Sequence, residues 1–177
     1  MNTANKLTVF RIVLIPFFVL FMLTKFTEYN QLIALIIFVI ASITDHLDGH
    51  IARKCNMITT FGKFMDPIAD KLLVSSALIC LSALGAIPAW AVIVIILREF
   101  AVSGLRLVAA ENGGVIAAAG WGKAKTATQM TAIIMLLIPI PQLYKIAIVV
   151  FYVSVVLTVI SLIDFMLKNK EMLITDK

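Results

Sequence analysis

Six long apolar runs constrain the fold of this 177-residue chain more than any other feature. A helix that crosses a bilayer needs about 20 predominantly apolar residues. The hydrophobic content of 62% and the charged content of 14% leave too little polar surface for a soluble globule. The predicted spans are 8–25, 32–53, 66–84, 88–110, 121–138 and 144–167. The sequence therefore predicts an all-α, polytopic membrane protein with six transmembrane helices, built as a single membrane domain over residues 1–177.

The basic residues are distributed unequally between the two sides of the membrane. The net charge of +5 raises the question of nucleic-acid binding, but the cations do not form a soluble basic face, so we expect no nucleic-acid partner. In a six-span drawing, Lys25 and Lys145 lie on one side. The other side holds Lys6, Arg11, Arg53, Lys54, Lys63, Lys123, Lys125, Lys168 and Lys170. The positive-inside rule then predicts a multi-pass protein of the cell membrane with both termini in the cytoplasm.

Four aspartates interrupt this apolar pattern at the cytoplasmic ends of spans two and three. Asp45 and Asp48 are three residues apart, and Asp66 and Asp70 are four apart, so each pair shares one face of a helix. Carboxylates this close repel one another, and a shared divalent cation relieves that repulsion. The sequence therefore predicts a metal site on a helical hairpin, facing the cytoplasm.

Ordinary structural roles were weighed against this interpretation. Asp66 alone is a reasonable helix N-cap with Pro67 in the first helical turn, and Asp45 or Asp48 alone is a reasonable partner of Arg98. Gly49 lies on the same helical stripe, where small residues often mediate helix contacts. However, each ionisable group near the bilayer centre costs on the order of 2.5–3.5 kcal/mol on insertion scales, so four together favour a function. His46 and His50 lie off this stripe and are not predicted as ligands.

The complete pattern resembles a known family. Asp-x-x-Asp-Gly-x-x-Ala-Arg, eight residues, then Gly-x-x-x-Asp-x-x-x-Asp is the signature of the CDP-alcohol phosphatidyltransferases, and residues 45–70 match it at every position. The resemblance implies a homodimeric six-helix enzyme. It implies two divalent cations, Mg²⁺ or Mn²⁺, and transfer of a phosphatidyl group from CDP-diacylglycerol to an alcohol with release of CMP.

The same resemblance assigns roles to individual residues. Asp45, Asp48, Asp66 and Asp70 resemble the metal ligands, and Asp70 also resembles the general base for the acceptor hydroxyl. Gly49, Arg53 and Thr59 resemble contacts to the nucleotide and diphosphate. Thr8 and Arg11 resemble residues that flank the cytidine.

The acceptor is indicated by residues 97–112 and 122–126. These segments are similar to the branch of the family that makes phosphatidylglycerophosphate from glycerol 3-phosphate. Arg106, Lys123 and Lys125 are then candidates for the acceptor phosphate. The residues alone leave other interpretations open: the two lysines as ordinary inner-face charges, Arg98 and Glu99 as structural partners of other helices, and inositol phosphate, serine or phosphatidylglycerol as the acceptor.

Two other functions were considered. A membrane prenyltransferase also uses aspartates and magnesium on a diphosphate, but it normally has more than six spans and lacks the Gly-x-x-Ala-Arg element. A divalent-cation transporter should show related halves with interrupted helices near the midplane. Here the acidic residues are concentrated in one hairpin, and the second half of the chain has no counterpart to it.

Overall fold

The computed structural model describes residues 3–54, 60–111 and 120–169, excluding the side chains of residues 3–6, 45–54, 60–64, 66, 67, 70, 110 and 111. The described chain forms six α-helices and no strand. They are α1 (Thr3–Leu23), α2 (Asn30–Lys54), α3 (Thr60–Ala83), α4 (Ala89–Glu111), α5 (Gly120–Leu137) and α6 (Pro141–Lys168). The predicted all-α architecture with six helices is confirmed.

Consecutive helices run in opposite directions, and three short connections meet at one end of the bundle. An open cavity of about 560 Å³ at this end is lined by residues in and beside the α1–α2, α3–α4 and α5–α6 connections. The Tyr144 hydroxyl donates to the Ala86 carbonyl at 2.9 Å, and the Gln31 amide donates to the Leu136 carbonyl at 3.4 Å. The opposite end carries the acidic motif and is called the motif end below.

The α3–α4 connection is closed by a glycine turn. Gly85 has a φ of +73°, a left-handed conformation that a residue without Cβ adopts at little cost. Its N–H donates to the Ser82 carbonyl and the Ala86 N–H donates to the Leu81 carbonyl, the paired bonds of a Schellman motif. The Pro88 carbonyl then accepts the first bonds of α4. The chain therefore reverses its direction within a few residues. Helix α4 begins at Ala89, in agreement with the predicted start of the fourth span at Pro88.

The core is made where α1 packs on α2 and α3 and where α5 packs on α6. Phe18 and Phe38 lie fully buried between α1 and α2, with ring centroids 5.8 Å apart. Residues with small side chains, including Ala34, Ala41 and Ala77, are also fully buried and allow close helix approach. The two densely packed groups, α1–α3 and α5–α6, are joined through α4 and through contacts of α2 and α3 with α5.

The outer surface is strongly apolar. Large side chains such as Phe10, Ile36, Trp90 and Val149 are exposed, and this pattern continues along α1–α4 and α6, whereas the exposed residues of α5 other than Trp121 are small or polar. Within the described residues, α6 is the helix that is both long and apolar enough to cross a membrane. Shorter apolar stretches occupy Leu7–Leu23, Asn30–Thr44 and Lys71–Ala83. An apolar exterior of this extent is the expected surface of a protein surrounded by lipid.

Candidate active site

The acidic motif lies on two neighbouring helices at the motif end. The segment from Asp45 to Arg53 forms the last turns of α2, and Asp66 and Asp70 lie in the first half of α3. Helices α2 and α3 contact each other, so the predicted hairpin exists. The aspartate, Gly49 and Arg53 positions have described backbone only, and Thr59 lies outside the described residues.

The start of α3 rules out one structural role for the motif. Helix α3 begins at Thr60, so Asp66 is preceded by six helical residues and is not an N-cap. The sequence placed the start of the third span at Asp66 because Pro67 is common in a first helical turn. In the structure the helix continues through Pro67.

Helix α1 brings two polar side chains into the interior near the motif end. Thr8 and Arg11 are both fully buried, although they lie on a helix whose other buried side chains are apolar. Helix α1 packs against α2 and α3, which carry the motif. A buried arginine in a membrane helix requires a polar environment within the bundle. This placement is compatible with the nucleotide role predicted for these residues.

A second polar region connects α4, α5 and α6. Arg98 is buried at 7% exposure, and its Nη2 donates to Ser161 Oγ on α6 at 2.6 Å. Its Nη1 donates to Glu99 Oε1 at 3.1 Å, and the same oxygen accepts from Nζ of the buried Lys125 on α5. Arg98 and Glu99 therefore bind partners on other helices, the structural role that the sequence left open.

Gly122 lies beside the Arg98–Ser161 bond. A Cβ at this position would lie 3.4 Å from Arg98 Nη2 and 3.7 Å from Ser161 Oγ, which are ordinary van der Waals distances. The segment 122–126 therefore adjoins the polar region at Gly122 as well as at Lys125.

A cavity opens next to the Glu99–Lys125 pair, between α3, α4 and α5. It has a volume of about 60 Å³ and opens to the surface. Its polar lining consists of Lys71, Ser75, Glu99, Lys125, Thr126 and Gln129, and its apolar lining of Val74, Leu78, Ile95 and Met130. Because Lys71 directly follows Asp70 in α3, this cavity lies beside the acidic motif.

The three cations predicted for the acceptor phosphate occupy different environments. Lys125 is buried at 2% exposure and is bonded to Glu99, whereas Arg106 and Lys123 are exposed. The Arg106 guanidinium carbon lies 6.0 Å from the centroid of the Phe165 ring, a cation–π distance. Of the three, Lys125 is the one that lines the cavity.

Ser161 and Gln129 were not singled out from the sequence. Ser154, Thr158 and Ser161 recur at i, i+4 and i+7 in an otherwise apolar α6, and all three are buried. That spacing indicates a polar stripe facing the bundle. Gln129 follows Lys125 by four residues, so the two share one face of α5. Both spacings can be seen in the sequence, but the partners of these side chains can be identified only when the neighbouring helices are known.

Together, the apolar exterior, the acidic hairpin and the adjoining polar cavity define a helical membrane protein with an internal polar site. The chain matches the CDP-alcohol phosphatidyltransferase family over residues 1–160, and it belongs to that family. The family is membrane-embedded and generally depends on divalent metal ions.

Relatives cover almost the whole chain. A Bacillus subtilis (strain 168) protein named CDP-diacylglycerol–glycerol-3-phosphate 3-phosphatidyltransferase is 47% identical over 98% of both chains. A Mycobacterium tuberculosis (strain H37Rv) protein named probable phosphatidylglycerophosphate synthase is 42% identical over 93% of this chain and 79% of its own. A Haemophilus influenzae protein with the same name as the Bacillus one is 40% identical over 93% and 91% of the two chains.

The Arg98–Ser161 bond should contribute measurably to stability. Ser161→Ala leaves a buried guanidinium N–H without its acceptor, which costs about 1–3 kcal/mol. We expect a lower thermal unfolding midpoint of the purified protein in detergent. Ser154→Ala is the matched control, because Ser154 is equally buried on α6 but donates to the Phe151 carbonyl of its own helix. Equal losses in the two variants would show that the interhelical bond contributes nothing.

Proposed function

We propose that this protein transfers a phosphatidyl group from CDP-diacylglycerol to glycerol 3-phosphate, giving phosphatidylglycerophosphate and CMP. The proposal rests on the Bacillus subtilis relative, which is named for this reaction and is 47% identical to this chain over 98% of both chains. The complete eight-residue motif supports the same chemistry. Its placement on two contacting helices beside a polar cavity supplies an enclosed site for it.

The donor set of the hairpin fits divalent metal ions. Asp45, Asp48, Asp66 and Asp70 would hold two cations, Mg²⁺ or Mn²⁺, because hard cations prefer carboxylate oxygens. When bound, such ions neutralise diphosphate oxygens and stabilise the departing CMP. The helical spacing of each aspartate pair, within α2 and within α3, allows both of its members to face the same ion.

The remaining chemistry is assigned to residues around the hairpin. Asp70 takes the proton of the acceptor hydroxyl as general base while that oxygen attacks phosphorus. Gly49, Arg53 and Thr59 bind the nucleotide and diphosphate, where the arginine contributes a charge-assisted, two-point contact. Thr8 and Arg11 flank the cytidine, and their burial in α1 beside α2 and α3 supports that assignment.

Lys125, Lys123 and Arg106 are assigned to the acceptor phosphate. The metals serve the donor, so the acceptor's own negative charge needs separate cations. Lys125 lines the cavity beside α3 and is oriented by Glu99, which supports it as the inner contact. Arg106 and Lys123 are exposed near the motif end and serve as outer contacts along the path of an anionic substrate.

The proposal includes a membrane arrangement. All six helices cross the cell membrane, with both termini and the active site facing the cytoplasm, as the distribution of basic residues predicts. Residues 1–177 form one domain, and the enzyme acts as a homodimer in contact with membrane lipids. The apolar exterior of α1–α4 and α6 supports this arrangement.

The assignment is tested by measuring CMP release from CDP-diacylglycerol by the purified protein with different acceptors. Glycerol 3-phosphate should support turnover, whereas inositol phosphate, serine and phosphatidylglycerol should not. Chelation of divalent ions should abolish the reaction, and added Mg²⁺ or Mn²⁺ should restore it. Preference for another alcohol contradicts the acceptor assignment, and full activity in chelator contradicts the metal requirement.

Substitution of the general base should affect the kinetics differently from substitution of the other aspartates. Asp70→Asn should reduce kcat by about 100-fold or more, the scale of a lost general base, with less effect on donor binding. Asp45→Asn serves as the comparison and should weaken metal binding together with turnover. The measurements are kcat and the metal concentration that gives half-maximal activity. Wild-type kcat in the Asp70 variant would exclude its role as the base.

Lys123 offers the cleanest test of the acceptor cations. Removing Lys125 would leave Glu99 without its α5 partner, whereas Lys123 is exposed and its loss should leave packing unchanged. Lys123→Met should raise the Michaelis constant for glycerol 3-phosphate more than that for CDP-diacylglycerol. Lys145→Met, an exposed lysine near the start of α6, is the control and should change neither constant. Equal shifts for both substrates would place the acceptor phosphate elsewhere.

A further inference from the structure

The cavity between α3, α4 and α5 contains a polar group whose hydrogen-bonding capacity is unused. Gln129 is 3% exposed and lines the cavity. Its Oε1 is buried and has no hydrogen-bond partner in the described structure. Leaving a buried acceptor unsatisfied is costly, and such groups normally have a protein, water or ligand partner.

Glu99 presents a second acceptor to the same cavity. Its two ion-pair partners, Arg98 and Lys125, both bind Oε1. Among the described residues, no hydrogen-bond donor is bound to Glu99 Oε2. Two acceptor oxygens from different helices thus line one cavity, and a ligand that satisfies them must carry an O–H or N–H donor.

We propose that Gln129 and Glu99 recognise the hydroxyl of the acceptor that does not react. This inference rests on the proposed function, because glycerol 3-phosphate carries two hydroxyl groups and one phosphate. The terminal hydroxyl forms the new ester, and the hydroxyl on the middle carbon remains free. The single O–H of that middle hydroxyl donates to Gln129 Oε1 in a three-centre bond shared with Glu99 Oε2, so Gln129 and Glu99 act as specificity determinants.

The position of Gln129 relative to Lys125 supports this assignment. The two residues are one helical turn apart on the same face of α5, about 6 Å along the helix axis at about 1.5 Å per residue. A small phosphate ester held at its phosphate by Lys125 therefore extends its carbon chain toward Gln129. Val74, Leu78 and Ile95 form the apolar walls of the cavity and match a short carbon chain.

The arrangement predicts strong discrimination against an acceptor without the middle hydroxyl. A site that hydrogen-bonds a substrate hydroxyl rejects the analogue that lacks it, because the buried partners then remain unpaired. We compare kcat/KM for glycerol 3-phosphate with that for 3-hydroxypropyl phosphate. The second compound has the same phosphate and the same reacting primary hydroxyl. The wild-type ratio should be well above about 100, the limit for an apolar pocket, and should approach the factor of about 10⁴ found for sites that hydrogen-bond a substrate hydroxyl.

Gln129→Met keeps the length of the side chain and removes its hydrogen-bonding group. This variant should lower the ratio at least about 10-fold, the scale of one buried hydrogen bond. It should do so by losing activity with glycerol 3-phosphate while activity with the analogue is retained. Thr131→Val is the matched control on α5, since Thr131 is exposed and its hydroxyl donates to the Ala127 carbonyl of its own helix. Its ratio should equal that of the wild type.

The outcomes separate this inference from the proposed function. A wild-type protein that uses both acceptors equally overturns the inference while confirming the glycerol 3-phosphate assignment, and this result does not depend on whether any variant folds. An unchanged ratio in a folded Gln129→Met protein likewise overturns it and leaves a bound water as the partner of the amide. Absence of turnover with glycerol 3-phosphate overturns the function itself.

Discussion

The structure depends on the need to enclose polar groups within a bundle whose outer surface faces lipid. Hydrocarbon offers no hydrogen bonds, so polar side chains in the spans must find partners inside the protein. Arg11, Arg98, Lys125 and Gln129 are all buried, whereas large apolar side chains cover the exterior. This is the reverse of a soluble globule. These buried polar groups lie on α1, α4 and α5 and face the interior of the bundle.

The candidate donor-binding and acceptor-binding residues lie mainly on two different sets of helices. Helices α1, α2 and α3 carry the acidic motif and the candidate nucleotide contacts, while α4, α5 and α6 are tied together by Arg98, Glu99, Lys125 and Ser161. The cavity lies where α3 meets α4 and α5. In the proposed function, donor activation would belong to the first group of helices and acceptor binding to the second, with the cavity between α3, α4 and α5 joining them.

The sequence predicted the helices and the motif because both depend on local patterns. Apolar runs of bilayer length located six helices, and the predicted start of the fourth span at Pro88 agrees with the structure, whereas α6 begins at Pro141, three residues before the predicted start of the sixth span. The start of α3 was predicted too late because Pro67 was interpreted as a first-turn residue. The partner of Arg98 could not be predicted, since Ser161 is 63 residues away and only the packing of α4 on α6 brings them together.

The Glu99–Lys125 pair explains how a lysine is maintained in the interior of the bundle. An isolated ammonium group would be costly there, and the adjacent carboxylate offsets that cost only if its own geometry is fixed. Arg98 provides this, since it bonds to Glu99 on one side and to Ser161 on the other. Lys125 thus depends on three helices for its position. Substitution of any one of Arg98, Glu99 or Ser161 would therefore disturb the position of Lys125 as well.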